Sequence, residues 1–98
     1  RGAASEAAGQ PHLDADPFEV GREYGTRWCR RGTPAQCAEV EIDRPRIPAA
    51  VDRELLRYAE GRGVDTWSDE QAKHAVRGGF WRGFDFVRDV GEVGADVG

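Results

Sequence analysis

Glu70 and His74 are the residues whose types and spacing come nearest to catalytic or metal-binding chemistry. Residues four apart on a helix share a face, so an imidazole and a carboxylate could meet there. Acid–base catalysis would also need a nucleophile, and a metal ion would need further ligands. The sequence places neither beside this pair, and it contains no phosphate-binding glycine loop. We therefore expect a solvated His–Glu pair, no enzymatic activity, no cofactor and no metal site.

Cys29 and Cys37 are the two cysteines, and their spacing matches no CxxC metal or redox pattern. They could form a local disulfide across the turn between them. The favoured interpretation is two free thiols buried as small hydrophobic side chains. That interpretation predicts a cytoplasmic location, or a place within a larger assembly.

Trp81 is the residue best suited to contact a partner. On a helical wheel it lies opposite the glycine-bearing face, beside His74, Arg77 and Arg88, which predicts an exposed position. Tryptophan and arginine are the residues enriched in interface hot spots. We expect a partner surface formed by Trp81, Arg77, Arg88, Phe84 and His74. The alternative is that the Trp81 ring covers the arginine stems of its own helix.

Arginines are clustered, although the formal net charge of the chain is −4. The clustered residues are Arg27, Arg30, Arg31, Arg44, Arg46, Arg53 and Arg57. Brought together, they could bind a phosphate backbone or an acidic protein face. Solvated helix faces with intrahelical ion pairs are the favoured interpretation, because the net charge is acidic. A nucleic-acid partner is therefore an alternative rather than the main expectation.

Four segments carry helix signals. Asp16-Pro17, Thr33-Pro34, Pro48 and Ser68 are typical helix starts and predict helices over 17–30, 34–41, 48–60 and 68–90. The short second segment also alternates apolar and charged residues, as a strand would, but the chain offers no second strand to pair with it. Trp67 stands where a hydrophobic staple onto Ala72 would form.

Two of these helices share one glycine spacing, Gly21-x-x-x-Gly25 and Gly79-x-x-x-Gly83. Glycine costs roughly 1 kcal/mol relative to alanine inside a helix, so a close backbone approach is the usual reason for it. Both pairs lie on the apolar arcs of charged, amphipathic helices, which excludes membrane dimerisation. We expect these four glycines to form an internal crossing of the first and fourth helices, with a subunit interface as the alternative.

The predicted fold is all-α: a small irregular bundle of three main helices plus a short one, spanning 16–90. Residues 1–15 and 91–98 are small and polar and predict extended terminal tails. Arginine greatly outnumbers lysine, a bias that indicates a bacterial or phage source with GC-rich DNA. No apolar run is long enough to cross a membrane.

The fourth helix has an apolar arc wider than a typical stripe, which one neighbouring helix cannot cover. We therefore expect a non-enzymatic interaction or assembly protein that acts through helix 68–90. Its partner would be a second copy of the chain or another protein subunit.

Overall fold

The computed structural model describes residues 15–96. Four α-helices follow one another along the chain: α1 (Pro17–Arg31), α2 (Pro34–Glu41), α3 (Ala49–Gly61) and α4 (Glu70–Val90). This described range contains no strand, and the predicted all-α fold of three main helices and a short one is confirmed. The N-terminal tail predicted over 1–15 lies, apart from Ala15, outside the described residues.

Side-chain caps determine where α1 and α2 begin. Asp16 accepts a hydrogen bond from the backbone N–H of Phe18 at 3.0 Å, and proline occupies the first helical position. Thr33 and Gln36 form a reciprocal capping box at the start of α2. This box favours helix over the competing strand pattern, because it satisfies two backbone donors that a strand would leave for a missing partner.

The start of α4 differs from the prediction. Asp69 rather than Ser68 is the cap, and it accepts from the backbone N–H of Ala72 at 3.0 Å. The Ser68 hydroxyl instead donates to Asp65, so it is not available to the helix. The predicted hydrophobic staple is wrong, because Trp67 is 76% exposed.

The glycines of α1 lie directly against the backbone of α4. A Cβ atom at Gly21 would overlap the carbonyl of Val76, and one at Gly25 would lie 2.8 Å from the carbonyl carbon of Phe80. Because the residue numbers in contact rise together along both helices, α1 and α4 run parallel.

The glycines of α4 likewise lie directly against the backbone of α1. A Cβ at Gly79 would lie 2.8 Å from the backbone nitrogen of Arg22, and one at Gly83 would lie 2.7 Å from that of Thr26. Each helix thus supplies two glycines, whose Cα–H groups face carbonyl oxygens of the other helix, an arrangement that forms weak C–H···O bonds. The structure places all four glycines at one internal crossing.

The core is built on the inner face of α4. Its fully buried large side chains are Leu55, Val76, Phe80, Phe84 and Val87, and four of these five belong to α4. Helix α1 covers one side of the wide apolar arc, and α3 together with the segment between α2 and α3 covers the other. The arc is therefore largely buried within a single chain.

Residues 91–96 return to the body of the domain, which differs from the predicted tail. Gly91 ends α4 in the left-handed conformation, with φ of 75°. The backbone N–H groups of Gly94 and Asp96 then donate to carbonyls at the end of α1, at 3.3 and 3.0 Å. Val93 packs against the core, and the Glu92 carboxylate pairs with Arg30 at 2.6 Å. These contacts satisfy carbonyls that a helix C-terminus leaves unpaired.

Candidate functional site

Trp81 is buried, and the prediction that it is exposed is wrong. Its side chain is part of the core at 7% exposure, and its Nε1–H donates to the carbonyl of Pro45 at 2.9 Å. Its ring makes edge contacts with Phe80 and Phe84, at centroid distances of 5.3 and 5.2 Å. The Arg44 guanidinium covers it from outside at 4.6 Å. A helical wheel could not show this burial, because the segment that covers Trp81 comes from another part of the chain.

The other residues of the predicted partner surface are buried, held in ion pairs, or exposed away from the rest. Phe84 is fully buried. Arg77 forms a bidentate pair with Asp52, both bonds measuring 2.8 Å, and Arg88 pairs with Glu41 at 2.6 Å. His74 is exposed. Arg77 and Arg88 therefore hold α4 against α3 and α2, and the predicted residues do not form one open surface.

Arg44 links the connection after α2 to the outer side of α4. It donates to both carboxylate oxygens of Asp85, at 2.8 and 2.7 Å, and also to Glu41 at 3.0 Å. The hydrogen bonds from Arg44 hold the pKa of Asp85 below its usual range. The same pairing raises the pKa of Arg44, so this arginine remains charged.

An open cleft lies between α1, α2 and the end of α3. We call it the aromatic cleft, and it is lined by Tyr24, Arg27, Trp28, Arg31, Gly32, Gln36 and Tyr58. Its volume is about 340 Å³, at the small end of the range of ligand pockets.

Three aromatic rings form the walls of the aromatic cleft. Tyr24 and Tyr58 lie with ring centroids 5.2 Å apart, and Trp28 stacks on the buried ring of Phe84 at 6.3 Å. All three rings are half-buried, so each has an inner edge fixed by packing and an outer edge open to a ligand. Burial raises the pKa of Tyr24. The cleft walls are therefore largely aromatic, and the Tyr58 hydroxyl at their edge donates to Glu23 at 3.1 Å.

Two arginines at the aromatic cleft lack a carboxylate partner among residues 15–96. Arg27 lies over the Tyr58 ring, with its guanidinium carbon 5.7 Å from the centroid, and Arg31 is exposed at the end of α1. Neighbouring arginines differ, since Arg30 pairs with Glu92 and Arg62 pairs with Glu23. Within residues 15–96, the charges of Arg27 and Arg31 are therefore not engaged in an ion pair.

Two further depressions continue the aromatic cleft. One shares Arg27 and Tyr58 with it and adds Arg22, Glu23, Thr26 and Arg62. The other shares Trp28 and Gln36 and adds Glu39, Val40, Ile42, Asp43, Pro48 and Val51. A ligand in the aromatic cleft could extend in either direction, toward the paired arginines Arg22 and Arg62 or toward an apolar end that also carries Glu39 and Asp43.

The two cysteines lie beside the aromatic cleft but do not open into it. Both are buried free thiols, with their sulfur atoms 3.3 Å apart. Burial, together with the hydrogen bond to Cys37, raises the pKa of Cys29 to about 12. Because the thiolate is the reactive form, the Cys29 thiol is chemically quiet at neutral pH.

From the sequence, the residues that line the aromatic cleft have other predicted roles. Helical periodicity predicts inward positions for Tyr24, Trp28 and Tyr58, and half-burial and full burial give the same periodic pattern. Arg27 and Arg31 belonged to a cluster expected to form intrahelical ion pairs. The one available signal was that Arg27 and Arg31 are four apart on the helix that carries Tyr24 and Trp28.

The comparison with known protein families gives one match. The family described as RspA-like C-terminal domain matches residues 4–88. The chain belongs to this family. No curated protein and no solved structure matches the chain.

The match to the RspA-like C-terminal domain covers α1, α2 and α3 completely and α4 as far as Arg88. It also takes in most of the segment predicted as an N-terminal tail, so those residues are part of the family's pattern. The family description names no activity or ligand, and the function of this RspA-like domain has to be argued from its surface. Within residues 15–96, no helix is long and apolar enough to span a membrane, and no group of three or more His, Cys, Asp or Glu side chains is placed to hold a metal ion.

Proposed function

We propose that this RspA-like domain is a non-enzymatic protein-interaction module that binds a protein partner in the aromatic cleft. The observation that carries the proposal is the combination of three half-buried aromatic rings with two arginines that have no acidic partner in the described residues. Tyrosine, tryptophan and arginine are the residues that most often dominate protein interfaces.

This surface replaces the expected one on α4. Trp81 and Phe84 of α4 belong to the core, and Arg77 and Arg88 form ion pairs, so their removal would damage the fold before it affected a partner. In the aromatic cleft the rings are held by packing, and binding would immobilise few side chains. Such preorganisation favours affinity, because less conformational entropy is lost on association.

A selection from a displayed library of random 12-residue peptides on the immobilised domain tests the proposal. We expect a consensus that contains an apolar or aromatic anchor next to acidic residues. Tyr58→Ala and Arg31→Glu should weaken binding of the selected peptide by about tenfold or more. Arg53→Glu is the matched control, because Arg53 is exposed on α3 and does not line the cleft.

A selection without any consensus, or a peptide that binds the Arg31→Glu variant as well as it binds the original domain, would overturn the proposal. A single-stranded oligonucleotide that displaces the peptide, with binding that falls steeply with salt, would instead favour the nucleic-acid alternative.

A further inference from the structure

The Trp67 side chain is unusually exposed to solvent. Its side chain is 76% exposed, a fraction matched among the large hydrophobic residues of the described range only by Ile42. A tryptophan buries 150–250 Å² when it enters an interface, which makes it the strongest single anchor a surface can offer. An isolated domain gains no stability from leaving such a ring in water.

The segment that carries Trp67 is held in one conformation. We call residues 64–69 the Trp67 loop. Asp65 accepts hydrogen bonds from the backbone N–H groups of Trp67 and Ser68, at 2.9 and 3.1 Å. On either side of Asp65, Val64 and Thr66 are buried, and Thr66 donates to Glu60 at 2.6 Å. The ring therefore projects from a structured loop.

The charges around Trp67 are opposite to those of the aromatic cleft. Asp65 and Asp69 flank Trp67 within the loop, which contains no basic residue. Glu70, the next residue, pairs with Lys73 at 3.2 Å. The cleft presents Arg27 and Arg31 beside its aromatic walls. An acidic loop with an aromatic centre is the type of ligand that a basic, aromatic-walled cleft recognises.

The size of the aromatic cleft also suits this ligand. A volume of about 340 Å³ can hold one large side chain. Tyr24, Trp28 and Tyr58 offer ring faces and edges to an indole, while the arginines can contact the flanking carboxylates.

We infer that the aromatic cleft of one copy binds the Trp67 loop of a second copy, so that the domain associates with itself. The inference rests on the proposed function, because it uses the same cleft, and it names the partner. Each copy carries both the loop and the cleft on different residues. One contact between two copies therefore needs only one intact loop and one intact cleft.

Sedimentation equilibrium of the full chain over a range of concentrations tests the inference. The average mass should rise above the monomer mass of 10.8 kDa as concentration increases, and the rise should diminish in high salt. Trp67→Ala should weaken the association by about 30-fold or more. The double variant Arg27→Glu, Arg31→Glu should weaken it through charge repulsion, and Arg53→Glu should not.

Mixing the two defective variants gives the decisive measurement. Trp67→Ala retains the cleft, the double arginine variant retains the loop, and together they should form a 1:1 complex that neither forms alone. Circular dichroism should show that both variants remain folded, since all three side chains lie at the surface.

Self-association that survives either variant, or the lack of a complex in the mixture, would overturn the inference. A chain that stays monomeric at all concentrations while selected peptides still bind the cleft would overturn the inference and leave the proposed function standing. If both self-association and peptide binding were absent, both proposals would fail.

Discussion

Trp81 shows how one residue can look like a binding site in sequence and be part of the core in the fold. Its indole N–H donates to Pro45, and Arg44 closes over its outer face. Arg44 is held in turn by the Asp85 carboxylate. The cluster of charges that suggested a partner surface is therefore the outer layer of an internal contact between α4 and the segment that follows α2.

Asp85 should make the stability of the domain depend on pH. Its pKa in the fold is lowered by Arg44 from an unfolded value of about 3.9. The ionised carboxylate therefore stabilises the fold above about pH 4, and this contribution is lost as pH falls through the lower folded pKa. Urea unfolding at several pH values should show a stability difference between wild type and Asp85→Asn that is largest near pH 6 and shrinks in acid.

Asp89→Asn is the control for this titration. Asp89 is exposed on the same helix and makes no ion pair with another described residue. Its replacement should change stability little at any pH. A difference between wild type and Asp85→Asn that stays constant from pH 6 to acid would show that the Arg44 pair does not act through the ionised carboxylate.

At the scale of elements, the decisive feature is the parallel crossing of α1 and α4. Four glycines let the backbones of α1 and α4 come into contact. A Cβ atom at one of these positions would overlap the backbone of the other helix. Flexible side chains can move away from an added methyl group, but the backbone of a packed helix cannot. The cost of glycine in a helix is offset by the packing that this close approach allows.

Adjacent glycines of α4 provide a direct test. Gly79→Ala should destabilise the domain by about 3 kcal/mol or more, because the helices must separate to admit the methyl group. Gly78→Ala should stabilise it by about 0.5–1 kcal/mol, since the new Cβ would meet only the Phe18 ring at 3.7 Å and alanine favours helix.

Urea denaturation of the two glycine variants, compared at equal ionic strength, measures both effects. Similar midpoints for Gly78→Ala and Gly79→Ala would contradict the close backbone contact. Gly61→Ala is a third variant for the same urea measurement and lies in α3. A Cβ atom at this position would have no neighbour within 4 Å, so the substitution causes no overlap.

At the scale of the whole molecule, the last residues close the end of the domain. Residues 91–96 carry α4 back to the end of α1 and supply donors to two of its terminal carbonyls. The chain is thereby folded into one unit in which α1 contacts both the body of α4 and the segment that follows it.

Removal of residues 92–98 should lower the free energy of unfolding by about 1–3 kcal/mol. The truncation deletes the Val93 contact, the pair between Arg30 and Glu92, and two backbone hydrogen bonds. Removal of residues 97–98 alone retains all of these contacts and is the control. Equal urea midpoints for the two truncated chains would show that the segment adds nothing to the fold.

The helices and their order could be predicted from the sequence, because caps and apolar periodicity act within a few residues. Thr33 with Gln36 specifies the start of α2 locally, and the glycine spacing marks the faces through which α1 and α4 meet. The start of α4 was less predictable, since Ser68 and Asp69 are both good caps and Asp65 decides between them.

The candidate site could not be predicted from the sequence. Tyr24 and Trp28 share a helix, but Tyr58 joins them only because α3 folds back against α1. Whether their rings are covered or half-open depends on neighbours that periodicity does not contain. The same reason explains the burial of Trp81 and the lack of a carboxylate partner for Arg27 among residues 15–96.

The sequence by itself determined the helices, their caps and the glycine faces, because these depend on residues within a turn or two of one another. The tertiary structure alone decided which aromatic rings are buried and which arginines are paired. Burial and ion pairing depend on segments that are distant along the chain. Only the packing of these segments forms the aromatic cleft and leaves Trp67 exposed on the surface.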